Sequence, residues 1–390
     1  MSADLPKDIG GYVIEGRVGG GGMAEVYRAR PPAEFREAIG REIVAIKMLL
    51  PSYAKDPIFR DMFEEEADIS TSLHHPNVVE LIDFGQVSDG SLFLVMEWVD
   101  GVDLGQVLRS YRRRKLRLHP LAACSILEQA LRGLHAAHTR MDAHGELHAV
   151  VHRDVSPANI LLSREGAVKI ADFGLARPLD RMRKTKPGIV KGKFAYLAPE
   201  QAFDRAVDPR TDVFAAGIVL WEALASRHLF RRDDDLETVL LVRQAKVPDI
   251  RRYAPGVDAR LVAALSHALK SDPDKRYPTA EKFADEIASF LKEQDAVSGG
   301  KLVAAVVRDV LRAETPIHVP AEPVAPPRDD RVSMPRLNSK RPPPLPRRSM
   351  MPSTTVESRD SIIGQDAGIP RDSIGGSTPM PLTRRRSLRA

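Results

Sequence analysis

Two aspartates and an asparagine stand close together in the chain and carry side chains suited to one kind of chemistry. Asp154 and Asn159 lie in the segment 151–162, and Asp172 follows in the segment 170–174. A carboxylate can accept the proton of an attacking hydroxyl, and carboxylate and amide oxygens are hard ligands that suit Mg²⁺. These residue types are therefore suited to accepting the proton of a hydroxyl beside a magnesium site.

A run of four glycines at 19–22 lies between two segments of strand-like composition. Because glycine has no Cβ, its backbone can approach the β- and γ-phosphates of a nucleotide closely. The run leads from one strand into another and not into a helix, which favours a phosphate-covering hairpin over a Rossmann turn or a P-loop. The pattern is also compatible with an ordinary flexible turn.

Lys47 ends the buried-strand pattern 44–47, where an apolar residue is expected. A lysine in such a place needs an anion or an acidic partner. Glu66 follows 19 residues later, within a segment of helical spacing, and could supply that partner. The alternative is a lysine on an edge strand whose ammonium reaches water.

These motifs occur in one order along the chain, and together they resemble the eukaryotic-type (Hanks-type) protein kinase family. The resemblance covers about residues 12–295 and is strongest to bacterial serine/threonine kinases, notably in the Gly-Gly-Met run and in 94–97. It implies an α+β, two-lobed fold, with a small β-rich N-lobe at 12–97, a hinge at 97–99 and a helical C-lobe at 100–295. It also implies transfer of the γ-phosphoryl group of ATP-Mg to protein hydroxyls, with autophosphorylation.

The resemblance assigns roles to individual residues. Asp154 becomes the catalytic residue, Asn159 and Asp172 the Mg²⁺ ligands, and Met96 the gatekeeper before the hinge. The nucleotide-binding set that it implies is Val18, Gly19, Gly20, Gly21, Gly22, Met23, Ala24, Glu25, Val26, Ala45, Lys47, Glu66, Met96, Glu97, Trp98, Val99 and Asp103. Within this set, Ala24 replaces the third glycine of the family pattern. Downstream, the family's P+1 loop and brace correspond to 192–200, Asp212, Gly217, and an ion pair between Glu200 and Arg276.

Two positions depart from the family pattern. Most serine/threonine kinases have a lysine two residues after the catalytic aspartate and a threonine in the P+1 loop, where this chain has Ser156 and Lys193. We read the pair as a positional exchange in which Lys193 supplies the missing cation. The alternative is a pseudokinase scaffold that binds ATP with little turnover. Pro157 and Tyr196 favour serine/threonine over tyrosine as the acceptor, and the P+1 loop counts against a small-molecule kinase.

Arg153 precedes the catalytic aspartate, as in kinases whose activation loop is ordered by phosphorylation. Thr185 is the one hydroxyl residue between Leu175 and Lys193, and basic residues flank it. It is therefore the candidate autophosphorylation site. The alternative is a basic loop that is simply solvated.

Hydrophobic periodicity predicts where the lobes divide. Strands are predicted at 12–18, 25–29, 42–49, 79–84 and 92–97, around a single helix at 57–73. Helices dominate from residue 104, with the clearest at 121–137, 212–225, 236–245, 259–269 and 280–292. A further amphipathic helix is predicted at 301–314, and it could cover the domain's own surface or bind a partner.

The last part of the chain differs in composition. Residues 315–390 are rich in Pro, Arg and Ser and poor in large apolar residues, which predicts disorder. Its Arg-x-Ser sites at Ser333, Ser349, Ser361, Ser373 and Ser387 are candidate phosphorylation sites. The segment 341–347 suits a polyproline-binding partner, or it could merely stiffen the tail.

Charge and composition exclude other classes. The segment 314–390 holds 13 Lys or Arg and 8 Asp or Glu residues, which accounts for the net charge of +5, so we expect no nucleic-acid partner. A single cysteine, Cys124, excludes a disulfide framework. Because no apolar run approaches the length of a membrane span and no leader is recognisable, we expect no membrane span and a cytoplasmic location.

Overall fold

The computed structural model describes residues 5–20, 23–142, 144–173, 193–294 and 299–314. Within these ranges a strand-rich N-lobe precedes a helical C-lobe, which confirms the α+β, two-lobed fold. The strands are β1 Asp8–Ile9, β2 Tyr12–Gly20, β3 Ala24–Arg30, β4 Val44–Leu49, β5 Leu81–Gln86, β6 Leu92–Glu97, β7 Gly101–Asp103, β8 Ile160–Ser163 and β9 Val168–Ile170. The helices are α1 Ala33–Ile39, α2 Pro51–Ala54, α3 Pro57–Ser72, α4 Leu104–Arg113, α5 Pro120–His138, α6 Pro199–Ala202, α7 Pro209–Ala225, α8 Asp235–Gln244, α9 Ala259–Ala268, α10 Ala280–Glu293 and α11 Gly299–Glu314.

The N-lobe sheet is antiparallel with the order β1-β2-β3-β4-β6-β5. Strand β4 lies in its interior, so the alternating side chains of this strand face either side of the sheet. Two core clusters form on the two faces, and α3 packs on one of them through Phe63 and Ala67. Helix α3 begins after Asp56, whose carboxylate caps the N–H of Ile58.

The expectation of a single helix in the N-lobe is wrong. Helices α1 and α2 are also present, and β1 extends the sheet before residue 12. Helix α1 has no buried residue, so it carries no apolar stripe that a periodicity argument could detect. Helix α2 spans a single turn that starts at a proline, which is too short for a periodic signal.

The C-lobe is built around α7, which is buried along almost its whole length. Helices α5, α9 and α10 pack around it and share its core. The small sheet β7-β8-β9 contributes Val102, Leu162 and Val168 to the core of this lobe. Strand β7 lies so close to β8 that a Cβ on Gly101 would be 1.8 Å from the carbonyl oxygen of Leu162, so only glycine fits there. The segment that holds Asp154 and Asn159 lies between α5 and β8.

Helix α11 packs on the C-lobe, and its apolar face belongs to the same hydrophobic core as α5. Val303, Val307 and Val310 are fully buried in that core, and Asp309 pairs with Arg114 at the end of α4. Among the described residues, no helix combines the length and apolar character that crossing a lipid bilayer requires.

Candidate active site

Lys47 lies in the interior strand β4 and is only 4% exposed, so it is not an edge-strand lysine. Its Nζ lies 2.7 Å and 3.0 Å from the two carboxylate oxygens of Glu66 on α3. The same Nζ lies 2.7 Å from Oδ1 of Asp172. One ammonium therefore joins β4, α3 and the segment after β9.

The charge of Lys47 depends on these two carboxylates. Burial by itself would lower the pKa of the ammonium, but the nearby charges of Asp172 and Glu66 and their hydrogen bonds raise it above the ordinary value. Lys47 is therefore held protonated inside the lobe. A buried cation of this kind can bind an anionic group that enters beside it.

Asp154 and Asn159 lie on the loop between α5 and β8. The side-chain nitrogen Nδ2 of Asn159 donates to the backbone carbonyl of Asp154 at 2.8 Å. The same nitrogen lies 3.3 Å from Oδ2 of the Asp154 carboxylate. Ser156 begins the 3-10 turn Pro157–Asn159, and its carbonyl accepts from the N–H of Asn159 at 3.0 Å. This short turn holds the carboxylate and the amide side by side.

Asp212, at the start of α7, fixes the backbone of this loop. Its two carboxylate oxygens accept from the N–H groups of His152 at 2.8 Å and Arg153 at 2.9 Å. Arg153 has φ +65°, in the left-handed region that costs energy for a residue with a side chain. Asp212 and the side chain of Gln201, which donates to the carbonyl of Arg153 at 3.0 Å, stabilise that conformation.

His138 at the end of α5 is a third partner of Asp212, with Nε2 at 2.8 Å from Oδ2. Burial alone would raise the pKa of Asp212, but the hydrogen bond from His138 and the charges of His138 and His152 hold that pKa below its usual range. The carboxylate therefore stays ionised in the core of the C-lobe.

His152 connects the catalytic loop with the segment that carries Asp172. Its Nε2 lies 2.9 Å from the carbonyl oxygen of Ala171, and its ring lies 4.7 Å from the ring of Phe173. Asp172 itself has φ +64°, a second left-handed backbone conformation at the site. The buried imidazole of His152 thus positions Asp154 relative to Asp172.

The N-lobe sheet supplies an apolar wall beside Lys47. Cross-strand partners share a face of the sheet, and the register pairs Val26 with Lys47 and Ala45 with Met96. Ala24, where the family has a glycine, buries its methyl group in the N-lobe core. Val18 is half exposed at the hairpin.

Other members of the nucleotide-binding set have contacts that the sequence did not indicate. Glu25 pairs with Arg17 at 3.0 Å, beside Gly20, and Met23 packs on the N-lobe core. A Cβ on Gly19 would meet nothing within 4 Å, so that position is open. Gly21 and Gly22 lie outside the described residues.

The predicted hinge follows β6. The carboxylate of Glu97 is bound by Lys169 at 2.6 Å, and the ring of Trp98 stacks under Arg28 at 5.7 Å; Val99 follows, half-buried. Asp103 caps α4, because its Oδ1 accepts from the N–H of Gln106 at 2.8 Å.

The segment that follows the undescribed residues 174–192 is anchored to the C-lobe. Glu200 and Arg276 are both buried and form two hydrogen bonds, of 2.8 Å and 2.7 Å, as predicted from the family pattern. Tyr196 donates to Glu222 on α7 at 2.9 Å. Thr185 and the side chain of Lys193 lie outside the described residues.

Sequence reasoning missed three residues of this framework. His138, Gln201 and Glu222 were not assigned to the site, although each holds a segment of it. Glu222 did carry a signal, since an acidic residue within a long apolar helix needs buried partners. His138 and Gln201 carried none, because their partners come from distant parts of the chain.

Comparison with known proteins gives the same identification. The protein kinase domain family matches residues 12–289. The chain is 37% identical over 304 residues to the tyrosine-protein kinase MasK of Myxococcus xanthus, covering 78% of this chain and 46% of that protein. It is 36% identical over 278 residues to the serine/threonine-protein kinase PrkC of Bacillus subtilis, covering 71% of this chain and 40% of that one. The chain thus spans about half the length of the curated relatives it matches.

This chain is also similar to a solved protein kinase structure. The crystal structure of the kinase domain of Mycobacterium tuberculosis PknI is 27% identical, with a TM-score of 0.55, and covers 73% of this chain and 99% of that one. The motif resemblance and the two-lobed fold both include residues 12–289, which the family matches. The chain therefore belongs to the protein kinase family, and its relatives include bacterial kinases of the eukaryotic type.

Proposed function

We propose that this protein transfers the γ-phosphoryl group of ATP to serine or threonine hydroxyls of proteins, including its own. The observation that carries the proposal is the contact of Lys47 with both Glu66 and Asp172, beside the pair formed by Asp154 and Asn159. In the kinase family such a set binds the nucleotide and activates the hydroxyl. Its assembly counts against the alternative of a scaffold with little turnover.

The residues present fit a magnesium ion. Asp172 and Asn159 would hold it, with phosphate and water oxygens as the remaining ligands. The side chain of Asp172 is 35% exposed, and the amide nitrogen of Asn159 donates to Asp154, which leaves the amide oxygen as the ligand atom. The chemistry supplied there, when the ion is bound, is neutralisation of negative charge on the phosphoryl group.

The chain's own residues would then share the work as follows. Lys47 would bind the α- and β-phosphates, while Asp154 would accept or orient the proton of the attacking hydroxyl. Ala45, Met96 and the hinge 97–99 would line the adenine site, and Asp103 would reach the ribose. Burial raises the pKa of Asp103, and its N-cap bond opposes that shift.

The acceptor hydroxyl is part of the proposal. Pro157 after Ser156, and Tyr196 in the P+1 loop, support serine or threonine, as does the name of PrkC. MasK is named a tyrosine kinase. Analysis of the phosphorylated amino acids therefore belongs in the first assay.

Two functional proposals concern residues whose side chains the structure does not describe. Lys193 would replace the cation that most relatives carry at the position of Ser156. Thr185 would be phosphorylated and pair with Arg153, which orders the activation segment. The exposed side chain of Arg153 and its fixed backbone support this role.

The remaining proposals concern organisation. The catalytic domain would span 12–295 with the helix 301–314 attached. The predicted tail 315–390 lies outside the described residues, and its disorder stays a prediction of the sequence. A polyproline-binding partner at 341–347 and a cytoplasmic location stay predictions of the sequence. Pull-down with the tail peptide and fractionation of cells would test them.

One experiment tests the proposed activity. The protein is incubated with labelled ATP and Mg²⁺, alone and with a generic protein substrate, beside an Asp154→Asn control, and phosphosites are mapped by mass spectrometry. We expect label on serine or threonine that depends on Asp154. Absence of Asp154-dependent label, together with retained ATP binding, would favour the scaffold.

A further inference from the structure

Arg109, on the second turn of α4, folds back over Gly105. A Cβ placed on Gly105 would lie 3.1 Å from Nη1 of Arg109 and 2.8 Å from Oδ1 of Asp103. A side chain at this position would press on the ends of two flexible side chains, so glycine leaves room for the guanidinium in the position observed. The sequence thereby brings a cation to the N-terminal end of α4.

This end of α4 lies against the catalytic loop. The same Cβ position is 3.7 Å from the backbone nitrogen of Ala158, within the turn Pro157–Asn159. Ala158 lies directly before Asn159 and four residues after Asp154. The guanidinium of Arg109 therefore lies near the backbone of the loop that carries Asp154, to which a protein substrate would present its hydroxyl.

The guanidinium is available to such a substrate. The side chain of Arg109 is 59% exposed, and Nη2 lies 3.9 Å from Oδ1 of Asp103, which is longer than a hydrogen bond. That carboxylate oxygen is already bound by the N–H of Gln106. Exposed ion pairs of this kind are weak, so Asp103 does not satisfy the donors of Arg109.

The neighbouring loop position has no charge of its own. Ala158 is exposed and neutral, so it offers no carboxylate that would attract a basic substrate. A guanidinium can bind a carboxylate through two parallel hydrogen bonds, which is both strong and selective. Complementarity of charge at this place thus favours an acidic side chain.

We propose that Arg109 is a specificity-determining residue that binds an acidic side chain of the peptide substrate close to the phosphorylated hydroxyl. The inference rests on the proposed kinase function and names its substrate class. Arg109 takes no part in the chemical step, which belongs to Asp154.

The test uses the full chain and a set of peptides with one serine or threonine. Asp, Ala or Lys is placed in turn at each position within four residues on either side of the acceptor. For the wild-type protein we expect Asp to raise kcat/KM over Ala by about tenfold or more at one position, as a charged hydrogen bond would. Arg109→Ala should remove that preference, and Arg109→Glu should turn it into a preference for Lys.

Arg113→Ala is the matched control, because Arg113 lies one turn further along α4, on a cleft shared with Ala313 of α11. It should leave the peptide preference unchanged. A peptide preference that survives Arg109→Glu would overturn the inference. So would a rise in the KM for ATP that is the same with every peptide, because Arg109 would then serve the nucleotide through Asp103.

Peptide binding to an Asp154→Asn protein, measured by fluorescence anisotropy, separates the two proposals. If the wild-type protein shows no turnover, the proposed function fails, while loss of acidic-peptide binding on Arg109→Ala would still support the role of Arg109. Equal binding of acidic and neutral peptides to the Asp154→Asn protein, with and without Arg109→Ala, would refute the role of Arg109.

Discussion

The imidazole Nε2 of His138 lies 2.8 Å from the carboxylate of Asp212, and both side chains are buried. The same carboxylate receives the N–H groups of His152 and Arg153. The end of α5, the start of α7 and the catalytic loop therefore meet at one ionised group. A single charge holds the backbone that presents Asp154.

Replacing Asp212 by asparagine removes this charge while keeping the size of the side chain. An amide oxygen can accept only part of these hydrogen bonds, and its NH₂ group faces donors. We expect Asp212→Asn to lower the free energy of unfolding by about 3 kcal/mol and phosphoryl transfer by at least tenfold. Denaturant unfolding and initial rates measure both quantities.

Asp233→Asn is the control, because Asp233 is exposed in the same lobe. It should change neither quantity. Equal stability of the Asp212→Asn and Asp233→Asn proteins would contradict the role of Asp212 in bracing the loop.

Motifs allowed the acidic and basic residues of the site to be predicted, but not how they are supported. Helices α5 and α7 were each predicted from their own periodicity, yet nothing local states that the end of α5 meets the start of α7. His138 and Asp212 lie 74 residues apart, and histidine at a helix end has many ordinary explanations. Such partners are set by tertiary packing, which the periodicity of one segment does not encode.

Segments without an apolar face were also beyond sequence reasoning. Helix α1 has no buried residue, so its formation rests on local propensity and on the turn at Gly40, whose φ is +64°. Apart from β1, the strands of the N-lobe sheet were predicted within a few residues, because β-branched runs and turn residues mark them clearly.

A second prediction concerns the buried ammonium of Lys47. Lys47→Met leaves the carboxylate of Glu66, which is 2% exposed, without its lysine. We expect a loss of about 3–5 kcal/mol in the free energy of unfolding, because a buried carboxylate then loses the cation of its ion pair. Adding Glu66→Leu should recover most of that loss, since a buried pair replaced by apolar groups is close to neutral.

A double-mutant cycle by denaturant unfolding measures this coupling. Neither variant should phosphorylate protein, so recovery of stability without recovery of activity separates the two roles of Lys47. Losses of Lys47→Met and Glu66→Leu that simply add would show that the two side chains do not interact.

A third prediction tests the exchange between Ser156 and Lys193. If Lys193 supplies the phosphate-binding cation, Lys193→Ala should lower kcat by about 100-fold or more, as loss of an electrostatic contact to the transition state does. The double variant Ser156→Lys with Lys193→Thr restores the usual family arrangement and should recover activity. Lys282→Ala, at an exposed lysine of α10, is the control. Near-normal activity of Lys193→Ala would rule the exchange out.

A fourth prediction concerns Thr185. Preincubation with ATP should activate the wild-type protein by phosphorylating this residue, whose phosphate would then pair with Arg153. Thr185→Ala should abolish the activation while leaving the basal rate, and Arg153→Ala should abolish it even when Thr185 is phosphorylated. Activation of the Thr185→Ala protein to the same level would refute the switch.

The last prediction places α11 inside the folded catalytic unit, although the family match ends at residue 289. Val303, Val307 and Val310 are fully buried against the C-lobe, and each such side chain contributes roughly 1.5–3 kcal/mol. A protein that ends at Glu314 should therefore unfold at the same denaturant midpoint as the full chain, whereas one that ends at Gln294 should lose several kcal/mol. Within the full chain, Val307→Asp should destabilise strongly, and Lys301→Asp, at an exposed position of the same helix, should not. Equal midpoints for the two truncated proteins would show that α11 is dispensable to the fold, and the catalytic unit would then end with α10.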